Sequence, residues 1–407
     1  MTFWNDPVNF IGQWLQSVLV SWGVAPDVAQ IILLVLGAGI LGVLGLVWVI
    51  FLIWYERKII GRMQDRLGPN RVGPWGLFQP FADMFKIFTK EYITPDGADV
   101  VPYNLAPVLA VAGTLMIWGV IPFASTIFGA DISVGVLFII AAGAIGELGI
   151  LFAGWGSNNK YALLGAFRSV AQLISYEIPM VITLLIPVMF SGSLSLQTIV
   201  QSQSLWYVLL APVPALIFLI TQIAEVGRAP FDLIEAESEI VAGFNIEYSG
   251  LKFGMFFVAE FLHAFTAALL FAVFFLGGWR GPFAEQFPLL GFVYLWIKTF
   301  AVYWFTVMIR GTVPRFRIDQ MMDINWKMLT PLALVMVLVT AVVHALVRPI
   351  GSPVVSLVAL LVANLVMLVI TLQFIRNSAR ARRRPMVAPS TVVVARPEPQ
   401  PTQSNPE

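Results

Sequence analysis

Nine stretches of this chain are apolar for about 20 residues at a time, long enough for an α-helix to cross roughly 30 Å of hydrocarbon. They fall near 31–54, 103–123, 133–154, 171–190, 205–225, 253–277, 289–310, 328–347 and 353–375. The fold class this dictates is all-α, a polytopic integral membrane protein of about nine transmembrane helices. With 58% of residues hydrophobic and 12% charged, against about 25% charged in soluble domains, a soluble enzyme and a disordered scaffold are both excluded. Four regions follow: an N-terminal segment over 1–30 with residues 9–22 along the interface, eight helices over 31–347, an additional helix over 348–375, and a tail from 376 to 407. The tail is basic and then Pro-rich, too poor in apolar residues to fold alone. No Lys or Arg precedes the first helix, so no basic region marks a cleaved signal peptide.

Orientation follows from the basic residues, which cytoplasmic loops retain. Twenty-one of the 24 lie on one face, from Arg57 through the six arginines of the tail, and only Arg280 and Arg348 lie on the other. The N-terminus is expected outside and the C-terminus inside. The net charge of +1 gives no field to gather nucleic acid. There is no cysteine, so the chain can hold no iron–sulfur cluster, thiolate metal site or disulfide of its own. His263 and His344 each sit singly in an apolar helix, where a hydrogen-bonded structural imidazole is a simpler reading than a haem ligand. Any redox centre must come from a partner or a diffusible molecule.

An ionisable group at a helix centre costs about 2.5–3.5 kcal/mol to insert, so carboxylates within spans are functional candidates. Glu147, Glu177 and Glu260 lie in three spans at a common depth below the inner surface. Next to them the fifth span ends at Glu225, and its loop carries Asp232, Glu235, Glu237, Glu239 and Glu247 against Arg228 and Lys252. From Pro230 onward a short helix is expected, with Glu235 and Glu239 sharing a face. This loop is either a solvated acidic face or, as Phe231, Ile234, Ile240, Val241 and Phe244 favour, an inserted acidic chain. Desolvation and mutual repulsion favour the neutral carboxyl, so such a chain can take up protons and pass them on. Lys298, inside the seventh span, is the natural partner of the innermost acid, or one half of an ion pair that merely ties helices together.

After the first span, Leu77, Phe78, Phe81, Phe85 and Phe88 recur at helical spacing between Trp75 and Tyr92, opposed by Asp83, Lys86 and Lys90. That describes an amphipathic helix in the interface, bounded by Gly68-Pro69-Asn70 and Gly73-Pro74. It suits an arginine-lined doorway for a quinone-like headgroup arriving from lipid, or a helix that covers span ends with Arg57, Arg62 and Arg66 on lipid phosphates. No GxGxxG, Walker or HExxH pattern is present.

The segments WYERKIIGRMQDRLGPNRVGPWGLFQPFADMFKIFTKE, GSNNKYALLGAFRSVAQLISYEIP, AEVGRAPFDLIEAESEIVAGFNIEYSG and PRFRIDQMM closely resemble the H-subunit family of bacterial NADH:quinone oxidoreductases, respiratory complex I. The likeness runs over roughly residues 31–347. It implies a subunit of a proton-translocating oxidoreductase of the inner membrane, part of the enzyme but performing no catalysis alone. Its substrate would be ubiquinone or menaquinone, with no metal or flavin on this chain. Its partners would be iron–sulfur peripheral-arm subunits at the cytoplasmic loops, neighbouring membrane-arm subunits and lipid. By the same likeness Arg57, Arg66, Asp83, Phe231 and Arg228 would belong to the quinone chamber. Glu147, Glu177, Glu225, Asp232, Glu235, Glu237, Glu247 and Glu260, with Lys298, would form the path coupling quinone reduction to proton pumping. The family often has Thr-Asn where this chain has Val226-Gly227, and Lys where it has Leu67. Two rival readings of the same acids are the membrane anchor of an energy-converting hydrogenase and an ion-coupled secondary transporter.

Overall fold

A computed structural model of the chain describes residues 6–234, 237–350 and 352–382, and among them all regular structure is helical. Two compact units divide the chain, one ending at Asn364 and one beginning at Leu365; the described part of the second, 365–382, is helical.

Among the described residues, eight helices are long and apolar enough to cross a membrane. They are α2 (Pro26–Met63), α4 (Val100–Trp118), α5 (Gly135–Gly156), α6 (Lys160–Ser191), α11 (Gly250–Phe275), α12 (Pro288–Thr312), the continuous run of α13 (Ile318–Ile324) and α14 (Thr330–Val347), and α15 (Pro353–Arg382). The first expected span is far longer than 31–54. Nothing breaks the helix before the Gly68-Pro69 turn, so α2 runs for 38 residues, about 57 Å at 1.5 Å per residue. Glu56 therefore rides on the helix instead of in a loop.

The expected span at 205–225 is broken, which corrects the sequence reading. A short α7 (Leu196–Ser202) and α8 (Tyr207–Leu210) precede α9 (Pro212–Val226), which has only 15 residues. Pro212 and Pro214 lack an N–H, so helical bonding cannot pass through the junction, and Ala211 turns out of the helix at φ −137°, ψ 66°. Asn364 of α15 bridges the gap. Its Nδ2 donates to Leu210 O at 3.3 Å, and its Oδ1 accepts from Val213 N at 3.4 Å.

Before the first span, α1 (Pro7–Ser21) is too short to cross. Asp6 caps it, accepting from Asn9 Nδ2 at 2.7 Å and from Thr126 Oγ1 at 2.6 Å in the loop between α4 and α5. The amphipathic helix α3 (Gln79–Thr89) is shorter than expected. Gly73 and Gly76 turn at φ 74° and 78°, and a Cβ on Gly76 would stand 2.2 Å from the Pro69 carbonyl. Phe78 at the start of α3 and Phe81, Phe85 and Phe88 within it are exposed.

The helix expected from Pro230 does not form there. The backbone of this loop is spent on other elements, with Pro230 O accepting from Phe316 N and Phe231 O from Gln172 Nε2. Among the described residues of this loop, α-helix resumes as the single turn α10 (Glu237–Ile240).

Spans α4 and α5 pack backbone to backbone on small residues, as membrane helices do. A Cβ on Gly113 would lie 2.6 Å from Gly146 N. Helix α11, buried along most of its length, is the hub of the core. With the short apolar α9 counted as a further crossing, alternation puts α1 and the loops 119–134, 192–211 and 276–287 on one side, where Ser195 Oγ donates to Asp131 at 2.6 Å. The loops at 64–99, 157–159, 227–249 and 313–317 gather on the other, where Asn159 Nδ2 donates to Glu247 at 2.7 Å.

Candidate functional site: a buried ion cluster beside an acid-lined cavity

Gly227 ends α9 in the left-handed region at φ 68°, a cap that turns the next residue back over the helix end. Arg228 is thereby aimed inward among α2, α11 and α12. Its Nη1 donates to Glu56 Oε2 at 2.5 Å and its Nε to Glu260 Oε1 at 3.1 Å, while the guanidinium lies 4.5 Å from the centre of the Phe261 ring. Glu56 also accepts from Tyr303 OH at 3.1 Å and from Arg310 Nη1. Burial disfavours the charge on Arg228, but Glu56, Tyr303 and Glu260 outweigh it and raise its pKa above the ordinary value. Glu56 is 3% exposed; a carboxylate so deep persists only with such partners.

One turn deeper on α9, Glu225 accepts from Gln222 Nε2 at 2.5 Å and lies 3.3 Å from His263 Nε2 on α11. Buried Glu147 on α5 accepts from Ser169 Oγ on α6 at 2.8 Å. Between these groups is a cavity of about 90 Å³, onto which Glu147, Glu225, Arg228, Asp232, Glu260 and His263 all open. It has room for several waters, and is small beside the roughly 300–1,000 Å³ pockets that take organic ligands. The arrangement can hold water among carboxyls whose charges sense one another.

Of the expected acids, Glu147, Glu225, Asp232 and Glu260 therefore share one cavity, and Arg228 joins them. Half-buried Glu177 does not line it but is near enough to Glu225 for the two charges to interact. Glu247 is elsewhere, bound to Asn159. Glu239 meets Arg168 at 2.5 Å and Arg315 at 3.8 Å, pinning the loop to α6 and the α12–α13 connection. Glu235 and the side chain of Glu237 lie outside the described residues.

Lys298 partners no acid among the described residues. Its Nζ donates to Gly278 O at 2.9 Å and Arg280 O at 2.8 Å, in the loop on the opposite side of the protein. A lysine's long stem lets the ammonium reach that loop and leave the hydrocarbon level.

The residues expected in a chamber are dispersed. Arg57 pairs with Asp83 at 2.6 Å on the exposed face between α2 and α3. Arg66 is exposed in the following turn, and Phe231 is core, packed with Tyr176, Leu233 and Met321.

Sequence reasoning missed Glu56, Tyr303, Gln222 and the role of His263. Ending the first span at 54 left Glu56 among loop charges, although an acid beside so many basic residues was a signal. His263 follows Glu260 by three residues, hence on the same face of α11.

A polytopic helical protein that holds an ion-paired cluster and an acid-lined cavity between its spans is a membrane protein organised around buried charge. The family described as NADH dehydrogenase matches residues 36–341, which include every residue of the cavity. The NADH-quinone oxidoreductase H subunit of Dehalococcoides mccartyi (strain CBDB1) is 46% identical over 289 residues, covering 71% of this chain and 80% of the relative. Its namesake in Vesicomyosocius okutanii is 43% identical over 350 residues, covering 83% and 96%, and that of Thermomicrobium roseum is 44% identical over 307 residues, covering 70% and 89%. The chain belongs to the NADH dehydrogenase family.

Proposed function

We propose that this chain is the H subunit of a proton-translocating NADH:quinone oxidoreductase, in a bacterial cytoplasmic membrane with its N-terminus outside. In this reading the loops at 64–99 and 227–249 complete a quinone chamber with iron–sulfur subunits of a peripheral arm, and other faces meet membrane-arm subunits and lipid. Electrons reach the quinone from centres held by those partners, which suits a chain without cysteine.

The observation that carries the reading is the convergence of Glu147, Glu225, Asp232, Glu260 and His263 on one cavity beside the Glu56–Arg228 pair. The cavity is water-sized, so the quinone headgroup binds outside it, towards Arg57, Arg66 and Asp83. Reduction of a quinone to quinol consumes two electrons and two protons. The change of charge at the headgroup shifts the Arg228 cluster, and the carboxyls behind it answer by taking up or releasing protons. Glu177, beside Glu225, continues the path away from the chamber.

The test is Glu225→Gln in the assembled complex, reconstituted in vesicles. Protons moved per NADH oxidised are expected to fall several-fold, with complex content and electron transfer to a hydrophilic acceptor retained. Proton pumping and quinone reduction that both stay at wild-type levels would remove the acidic path from the function of this chain.

A further inference from the structure

Two residues around the site have hydrogen-bonding capacity left over, and the two remainders are complementary. Buried Gln222 donates from Nε2 to Glu225 Oε2 at 2.5 Å and to Met180 Sδ at 3.1 Å, but its Oε1 accepts from no described group. Buried Arg228 spends Nη1 on Glu56 and Nε on Glu260, while Nη2 meets no acceptor among the described residues. One residue is short of a donor and the other of an acceptor. Both line a second cavity of about 20 Å³ between α9, α11 and α12. Its remaining walls, Ala268 among them, are apolar apart from Thr306 and Arg310. A buried water needs about 10–15 Å³ and two to four polar partners, and this cavity supplies both.

We propose that an ordered water in this second cavity accepts from Arg228 Nη2 and donates to Gln222 Oε1, making Gln222 a positioning residue that ties the Glu56–Arg228 pair to Glu225. The proposal rests on the preceding reading, in which Glu225 changes protonation during turnover. A carboxamide does not itself relay a proton. It is oriented by the water at one end and presents an N–H to the carboxylate at the other, so a displacement of Arg228 alters how well the ionised Glu225 is held. Glu225 is also faced by His263 on α11, Glu147 on α5, and Glu177 and Tyr176 on α6, and Arg310 of α12 shares its cavity.

Gln222→Leu removes the donor to the ionised carboxylate. In the assembled complex the acidic limb of the pH profile of coupled NADH:quinone turnover is therefore expected to move to higher pH by about one unit, the size of a lost charge-assisted hydrogen bond. Ala268→Val fills the cavity while leaving every polar group in place. It is expected to shift the limb in the same direction by less, and it carries the test if Gln222→Leu fails to assemble. In a Glu225→Gln background neither substitution should move the limb. Slowing that is equal at every pH, or a shift that persists without Glu225, would overturn the positioning role. A density map that resolves waters but has none within hydrogen-bonding distance of both Arg228 Nη2 and Gln222 Oε1 would overturn the bridge. Failure of the functional reading is separate, since it is read from Glu225→Gln alone, whereas the water is read from the map.

Discussion

Glu56 is the residue on which the buried charge closes. Two guanidinium groups and a tyrosine hydroxyl converge on its carboxylate, so removing the negative charge leaves Arg228 with half its compensation. Breaking one side of a buried pair typically costs about 3–5 kcal/mol. Glu56→Gln should therefore reduce the amount of assembled complex in membranes severely, and blue-native electrophoresis against a Glu239→Gln control will measure it. A Glu56→Gln complex present at wild-type level would mean that another anion neutralises Arg228. Gly227 makes a second, smaller claim at the same scale. At φ 68° an L residue other than Asn costs about 1–2 kcal/mol, and a Cβ would stand 3.2 Å from Ile234 Cδ1. Gly227→Asn should be nearly neutral and Gly227→Val clearly destabilising, as read by resistance of the purified complex to heat. Of the charged residues of this site, Arg228 was legible as a loop cation and Glu260 as an acid within a span. Their pairing was not, because Glu56, Arg228, Glu260 and Arg310 come from four separate segments and nothing local says which acid an arginine will meet.

At the scale of elements, hydropathy found the continuous spans and failed at the broken one. The run at 205–225 is as apolar as its neighbours, but its prolines interrupt the backbone bonding that an apolar run promises, and hydropathy counts side chains only. A break within a membrane exposes carbonyl and amide groups that no lipid can satisfy. Asn364, 1% exposed, answers two of them, which gives α15, outside the residues that the family shares, a defined task. Asn364→Leu should loosen the junction of α8 and α9 at a cost of about 1–3 kcal/mol for the unmet groups. Because the chain has no cysteine, Ala211→Cys provides a single reporter. Its labelling by a maleimide on this chain should be slow in the otherwise native protein and markedly faster with Asn364→Leu. Equal labelling rates would show that the junction holds without the Asn364 carboxamide. The short α3 tells the same story in reverse. Its aromatic spacing was legible, but its start was set by the Gly73 and Gly76 turns, whose tight approaches to Phe78 and Pro69 respectively only three dimensions reveal.

Across the molecule, charge is sorted into three zones: an ionised cluster and acidic cavity within the span bundle, a lattice of ion pairs over the loops on one side, and polar caps on the other. The one-sided distribution of Lys and Arg was countable from the sequence; the separation between a buried zone and a surface zone was not, since Arg57 and Arg228 look alike until burial is known. That separation decides how a substitution should be read. The Arg57–Asp83 pair has side-chain exposures of 43% and 26%, and partly hydrated pairs of this kind contribute about 0–1 kcal/mol to stability. Arg57→Ala should therefore leave the fold and the assembly intact, in contrast to Glu56→Gln one residue before it. What it removes is a cation beside Asp83, on the face of α3 opposite its aromatic residues, where in the proposed reading a quinone headgroup leaving the lipid would find a hydrogen-bond donor. In the assembled complex the expected outcome is an apparent quinone KM raised several-fold with kcat nearly retained, because a contact made equally in ground and transition states affects binding alone. An unaltered KM in a normally assembled Arg57→Ala complex would take this residue off the quinone's route, and a fallen kcat at unchanged KM would move it from the doorway to the coupling machinery.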